Sequence, residues 1–165
     1  NKYRYGNVKD RSVYVDNFSR YNINSTQVRG GFARLAEQLA LEGKNDKALN
    51  LLNLIEEELP SSIVPHNPLT GGMDIARLYL ALGEYDKGLK IMGKLIDDQM
   101  EYITWYNSLS GSRFNATMQE SYMAFEVTKL LIDELKKGNE ACKTAAADYN
   151  TELTALFNAW KERLN

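Results

Sequence analysis

Apolar residues recur at helical spacing along most of this chain, and glycines and prolines cut the pattern into pairs. Phe32, Leu35, Ala36 and Leu39 share one helical face. Gly43 follows and predicts a stop, because glycine enters the left-handed conformation at a helix C-terminus without a Cβ penalty. Asn45 or Asp46 then caps a second helix, whose expected buried stripe is Ala48, Leu51, Leu52 and Ile55, and Pro60 ends it. The pattern repeats. Ile75, Leu78, Tyr79 and Leu82 lead to Gly83, and Asp86 opens a helix carrying Leu89, Met92, Leu95 and Ile96. Gly43-x-x-Asp46-Lys47-Ala48-Leu49 aligns with Gly83-x-x-Asp86-Lys87-Gly88-Leu89, 40 residues on. The small residue after each lysine, Ala48 or Gly88, marks where the two helices of a pair need close approach.

A third, longer pair closes the chain. Met118, Tyr122, Phe125, Ile132 and Leu135 form one stripe, and Lys136-Lys137-Gly138 reads as a basic, glycine-terminated helix end. The last helix carries Ala145, Tyr149, Leu153, Leu156, Trp160 and Leu164 on one face, with Lys161, Glu162 and Arg163 facing water. Each pair alone leaves its apolar stripe uncovered, so the pairs must stack. The expected fold is therefore all-α: stacked antiparallel helical hairpins in a tetratricopeptide-like right-handed solenoid, with hairpins at about 32–60, 70–100 and 114–164 of a repeat domain spanning 32–165. The tetratricopeptide period is about 34 residues. With Ala48 at the signature alanine, Phe32, Ala36 and Pro60 take the aromatic, small and proline positions. The second unit fits less well, with Gly72 at the aromatic site and Met100 at the proline site. Residues 1–31 read as a separate extended or irregular segment, because Asn22, Asn24, Ser25 and Thr26 are poor helix formers. Within it, Val13-Tyr14-Val15 suggests a short extended piece and Asp16 or Asn17 a helix cap.

Charge and composition remove several functions. The 20 basic and 22 acidic side chains leave a net charge of −2, without the basic excess of a nucleic-acid surface. Cys142 is the only cysteine, so an internal disulfide and a multi-thiolate zinc site are both excluded. No apolar run approaches the roughly 18 residues that span a bilayer. The chain opens at Asn1 without an initiator methionine, and the expectation is a piece of something longer.

Phe32-Ala33-Arg34-Leu35-Ala36, then Glu42-Gly43-Lys44-x-Asp46-Lys47-Ala48 and Pro60, carry a resemblance. So do Tyr5-x-Asn7-Val8, Val13-Tyr14-Val15-Asp16, Arg20, and Arg29 three residues before Phe32. Together they resemble the C-terminal soluble region of a bacterial family of multi-spanning membrane proteins of unknown function, itself similar to protein O-mannosyltransferases. His66 stands after Pro65 where that family would have a tyrosine, and the recognisable motifs end near residue 65. The resemblance implies a helical-repeat tail on a membrane-embedded glycosyltransferase-like body, at the periplasmic face of the inner membrane, with the cytoplasmic side as the alternative. The acidic catalytic residues of such a body lie in its membrane loops, so no catalytic residue carries over.

The side chains themselves offer little chemistry. His66, the only histidine, sits in Pro65-His66-Asn67-Pro68 and reads as a surface or loop-packing residue rather than part of a triad. Glu56-Glu57-Glu58 and Asp97-Asp98 read as solvated helix faces, and Gly71-Gly72 as a hinge between hairpins rather than an anion cradle. Tyr102, Trp105 and Tyr106 read as a core-facing patch at a helix end, with a stacking platform for sugar or peptide as the functional alternative. Asn24-Ser25-Thr26 and Asn115-Ala116-Thr117 match the N-glycosylation pattern, which carries little weight in a bacterial protein. In the repeat register, Ala33, Glu37, Met73 and Arg77 are expected to line a groove. The expectation is a non-catalytic interaction or scaffolding domain, without metal or cofactor and monomeric when excised. It would hold a peptide, a protein or the rest of its parent chain, and no nucleic acid. The alternative is an accessory domain that recruits substrate for a membrane-embedded, O-mannosyltransferase-like glycosyltransferase.

Overall fold

A computed structural model describes residues 6–164; residues 1–5, with Tyr5, and residue 165 lie outside the described residues. The described residues are all-helical and contain no strand. Seven α-helices follow one another: α1 (Gly30–Leu41), α2 (Asn45–Glu58), α3 (Gly72–Ala81), α4 (Tyr85–Ser108), α5 (Gly111–Ala116), α6 (Met118–Leu135) and α7 (Glu140–Glu162). The chain divides into two compact units, the first ending at Ile91 and the second beginning at Met92, within α4.

In the first unit the two inter-helix turns are copies of each other. Gly43 and Gly83 both take the left-handed conformation, at φ 74° and 85°. The Gly43 N–H donates to Ala40 O (2.9 Å) and the Lys44 N–H to Leu39 O (2.8 Å); 40 residues later, Gly83 donates to Leu80 O (3.2 Å) and Glu84 to Tyr79 O (2.9 Å). This paired bonding is the Schellman arrangement, which satisfies the last carbonyls of a helix. The small positions behave as expected. Ala48 is fully buried, and a Cβ on Gly88 would lie 2.6 Å from Leu80 Cδ2 and 3.1 Å from Ala76 O. The first core contains Leu52, Ile55, Leu59, Val64, Ile75 and Tyr79. On α1, however, Ala33 and Ala36 face inward while Leu35 is 53% exposed. The helix contacts α2, α3 and the segment before it, and small residues permit that crowding.

The N-terminal segment differs most from expectation. Val13–Val15 makes no strand, but residues 17–41 form one continuous helix whose middle, Ser19–Arg29, is π-helical. Asp16 starts it, accepting from the Ser19 N–H at 3.0 Å and the Ser19 hydroxyl at 2.6 Å. The poor helix formers hold the wide turn: Asn24 Nδ2 donates to Ser19 O (3.0 Å) and Thr26 Oγ1 to Tyr21 O (2.8 Å), each reaching the carbonyl five residues back. Ser25 Oγ lies 2.7 Å from Thr70 Oγ1. Side chains that compete with an α-helix here support a π-helix, and tertiary contact outweighs propensity.

The second unit contains the rest of α4 with α5, α6 and α7. α4 does not stop near residue 100 but runs 24 residues to Ser108, because no proline interrupts it and Gly93 is tolerated inside. Gly93 has a reason to be glycine: a Cβ there would stand 3.2 Å from the Tyr149 hydroxyl. α6 and α7 pair across Lys136–Asn139, where Asn139 Oδ1 caps α7 by accepting from the Cys142 N–H at 3.1 Å. Leu131, Ile132, Leu135, Cys142 and Ala146 fill their contact, and Phe125, Phe157 and Trp160 cluster with ring centroids 5.1–5.8 Å apart. Met118, Tyr122 and Leu164, expected on buried stripes, are instead exposed. Arg163 does not simply face water: its guanidinium donates to Asn107 O and Leu109 O and stands 4.3 Å from the Phe114 ring centroid.

Candidate functional site

The four expected groove residues do not form one open surface. Ala33 is 1% exposed and unavailable to a ligand. Glu37 and Arg77 do come together, at 3.1 Å, and Arg77 also reaches Asp74 at 3.4 Å. Met73 is half-buried beside them in sequence on α3. These are partly exposed pairs, each contributing between nothing and about 1 kcal/mol.

His66 packs against Glu56 in the interior of the first unit. Its side chain is only 6% exposed, with Nε2 3.0 Å from Glu56 Oε1. The same carboxylate oxygen lies 3.8 Å from Arg29 Nε. Arg29 is fully buried and donates to three backbone carbonyls: Leu59 (2.7 Å), Val64 (2.8 Å) and Pro65 (3.1 Å). Burial lowers the Arg29 pKa and Glu56 opposes that shift. Arg29 thus clamps the loop after Pro60. Glu56 is therefore not a solvated residue, while Glu57 and Glu58 hold Lys9 at 3.4 and 2.7 Å. Gly71 and Gly72 are packed closed, since a Cβ on Gly71 would lie 3.0 Å from Gly30 Cα. Cys142 is buried in the second unit. Among the described residues, no group of three or more His, Cys, Asp or Glu is placed to hold a metal ion, and no helix is long and apolar enough to cross a membrane.

The aromatic patch on α4 overturns its core-facing assignment. Tyr102 is 56% and Trp105 53% exposed. The inward stripe of this helix is Leu95, Ile96, Met100 and Ile103, and at about 100° per residue Trp105 points nearly opposite to Ile103. The Trp105 and Tyr106 rings are 5.0 Å apart at 56°. Trp105 borders a cleft of about 510 Å³, lined from α4 by Asp97, Met100, Glu101, Thr104 and Ser108 and from α7 by Glu152. Asp97 accepts from the Tyr149 hydroxyl at 2.9 Å. Burial first, then Asp97 and Glu152, push that phenol up to about 12. Lys94 is held above its ordinary range by its bond to Asp98, with Asp97 and Glu101 adding to the effect. Three carboxylates, Asp97, Glu101 and Glu152, and no basic side chain line the cleft.

No protein-family model, curated protein or solved structure matches this chain.

Proposed function

We propose that this chain is a non-catalytic interaction module built from tetratricopeptide-like hairpins, which holds another polypeptide segment on its exposed aromatic face. The observation that carries the reading is the pair of exposed rings, Tyr102 and Trp105, with Trp105 bordering the α4–α7 cleft. Tryptophan and tyrosine are enriched among the anchor residues that carry most of the binding energy at interfaces. The twin Schellman turns and the close approach at Gly88 support a repeat architecture, in which hairpins stack and leave surface for binding. The resemblance noted above supports a module that works beside a membrane, as the soluble part of a larger protein at its periplasmic face. Tethering of that kind lets weak contacts suffice, because it raises effective concentration.

A second reading has one observation in its favour: exposed rings beside carboxylates also suit a sugar. On that reading the module presents a glycan or acceptor to a membrane-embedded, O-mannosyltransferase-like enzyme. The test compares Tyr102→Ala/Trp105→Ala with Leu41→Ala, which removes another exposed apolar side chain. All three residues are exposed, so the helical circular dichroism should not change. The expected result is that co-purification of the partner polypeptide with the full-length protein is lost only in the aromatic variant. Equal retention in both variants refutes the proposal.

A further inference from the structure

We infer that the α4–α7 cleft receives a lysine or arginine side chain from a partner peptide. This rests on the interaction reading and names the chemistry of its partner. The lining has an apolar floor at Met100 and an indole wall at Trp105, and three carboxylates belong to it, Asp97, Glu101 and Glu152. None of the seven lining residues is basic. Lys94, one turn before Asp97, is tied to Asp98 at 2.5 Å. Lys94 also interacts with Asp97 and Glu101 from outside the lining, which leaves Glu152 and the surplus negative charge of the cleft without a basic partner among the residues that line it. Asp97 spends one acceptor position on Tyr149, and a carboxylate has about four.

The hydrogen-bonding inventory separates a cation from a sugar. The Ser108 hydroxyl is committed, donating to Trp105 O at 2.6 Å. Thr104 Oγ1 and the Trp105 indole N–H remain as the side-chain donors, against three carboxylates that only accept. A sugar hydroxyl can donate to these carboxylates too, but it is neutral and leaves their charge uncompensated. Ammonium and guanidinium groups only donate. A cation also gains from the face of an exposed indole, and its aliphatic stem covers the apolar floor. Charge and donor count together favour a basic side chain.

The probe is acetyl-Gly-Arg-Leu-Lys-Gly-amide, titrated into the purified chain and followed by calorimetry and by tryptophan fluorescence. Trp160 is 7% exposed, so Trp105 is the responsive reporter. The neutral counterpart carries citrulline and acetyl-lysine, and mannotriose serves as the sugar arm. Binding of the basic peptide alone is expected, weakening as salt rises. Glu101→Gln/Glu152→Gln should weaken it about fivefold or more, as two exposed charge contacts would, and Trp105→Leu about threefold, as an exposed cation–π contact would. Glu57→Gln/Glu140→Gln changes the net charge equally outside the cleft and should leave affinity within twofold. Binding of both peptides alike, or equal loss in the two double variants, overturns the assignment. So does binding of mannotriose alone, or of no probe. Those outcomes leave the broader interaction reading to its own test, the partner lost or retained in the aromatic variant.

Discussion

Replacing Arg29 with methionine should cost about 3–5 kcal/mol, the range for breaking a buried charged interaction by removing one partner. Arg29 is fully buried and donates to Leu59 O, Val64 O and Pro65 O. Each hydrogen bond from a charged donor is worth about 1.5–3 kcal/mol. Their sum overstates the effect, because the folded protein also sheds the cost of burying a guanidinium, which lowers the Arg29 pKa. The larger penalty falls on the acceptors: methionine fills the space but leaves three carbonyls without their donor. Arg29→Lys keeps the charge yet replaces a planar fork with a point donor, so it should recover less than half of the loss. Urea denaturation followed by circular dichroism measures the difference, and amide exchange over residues 59–66 should show the loop opening first. An Arg29→Met variant within about 1 kcal/mol of the parent would refute the clamp, since the loss predicted from its contacts is several times larger.

Ala48 is fully buried in α2, so Ala48→Leu should overpack the first unit and lower its stability by about 1–3 kcal/mol, read by urea titration. Gly83 has φ 85° and open space around its missing Cβ, so Gly83→Ala should cost only left-handed backbone strain, about 1–2 kcal/mol, read from the melting curve. The Tyr149 phenol is raised to about 12 by burial and by Asp97. Its stabilising contribution is therefore fully present below the ordinary tyrosine value of 10.0 and is lost as pH rises through about 12. Tyr149→Phe should accordingly flatten the fall in stability over that alkaline window, with ultraviolet titration of the phenols as the check. The isolated chain should not turn over sugar-nucleotide, lipid-linked sugar or ester substrates; reproducible turnover abolished by His66→Ala would overturn the non-catalytic reading.

The paired helices up to α3 were legible because local chemistry and tertiary packing agree there. Gly43 and Gly83 are needed at left-handed positions, and Ala48 and Gly88 sit where bulk is excluded. Periodicity chose the wrong residue on α1, preferring Leu35 to Ala33, because it ranks hydrophobicity and ignores how closely neighbours approach. The N-terminal helix was hidden because Asn24 and Thr26 are poor α-formers whose side chains bond five residues back instead. α4 outran its expected end because the second unit has methionine where a proline would stop it. The cleft brings Glu101 and Glu152 into one lining from two helices 51 residues apart in sequence, and no local spacing encodes that pairing. Arg29 stood out only through the family resemblance. A lone arginine in a polar segment carries no mark of burial, because its partners are backbone carbonyls.

The interaction claim is tested most directly by a photo-crosslinking amino acid at position 102 of the full-length protein, with position 41 as control. Tyr102 stands beside Trp105 on the cleft-bearing helix at 56% exposure, and Leu41 in the first unit is more exposed still, at 78%. The account predicts a discrete polypeptide crosslink from position 102, mapping to a segment that contains lysine or arginine and absent from position 41. Equal, diffuse crosslinking from both positions would contradict it.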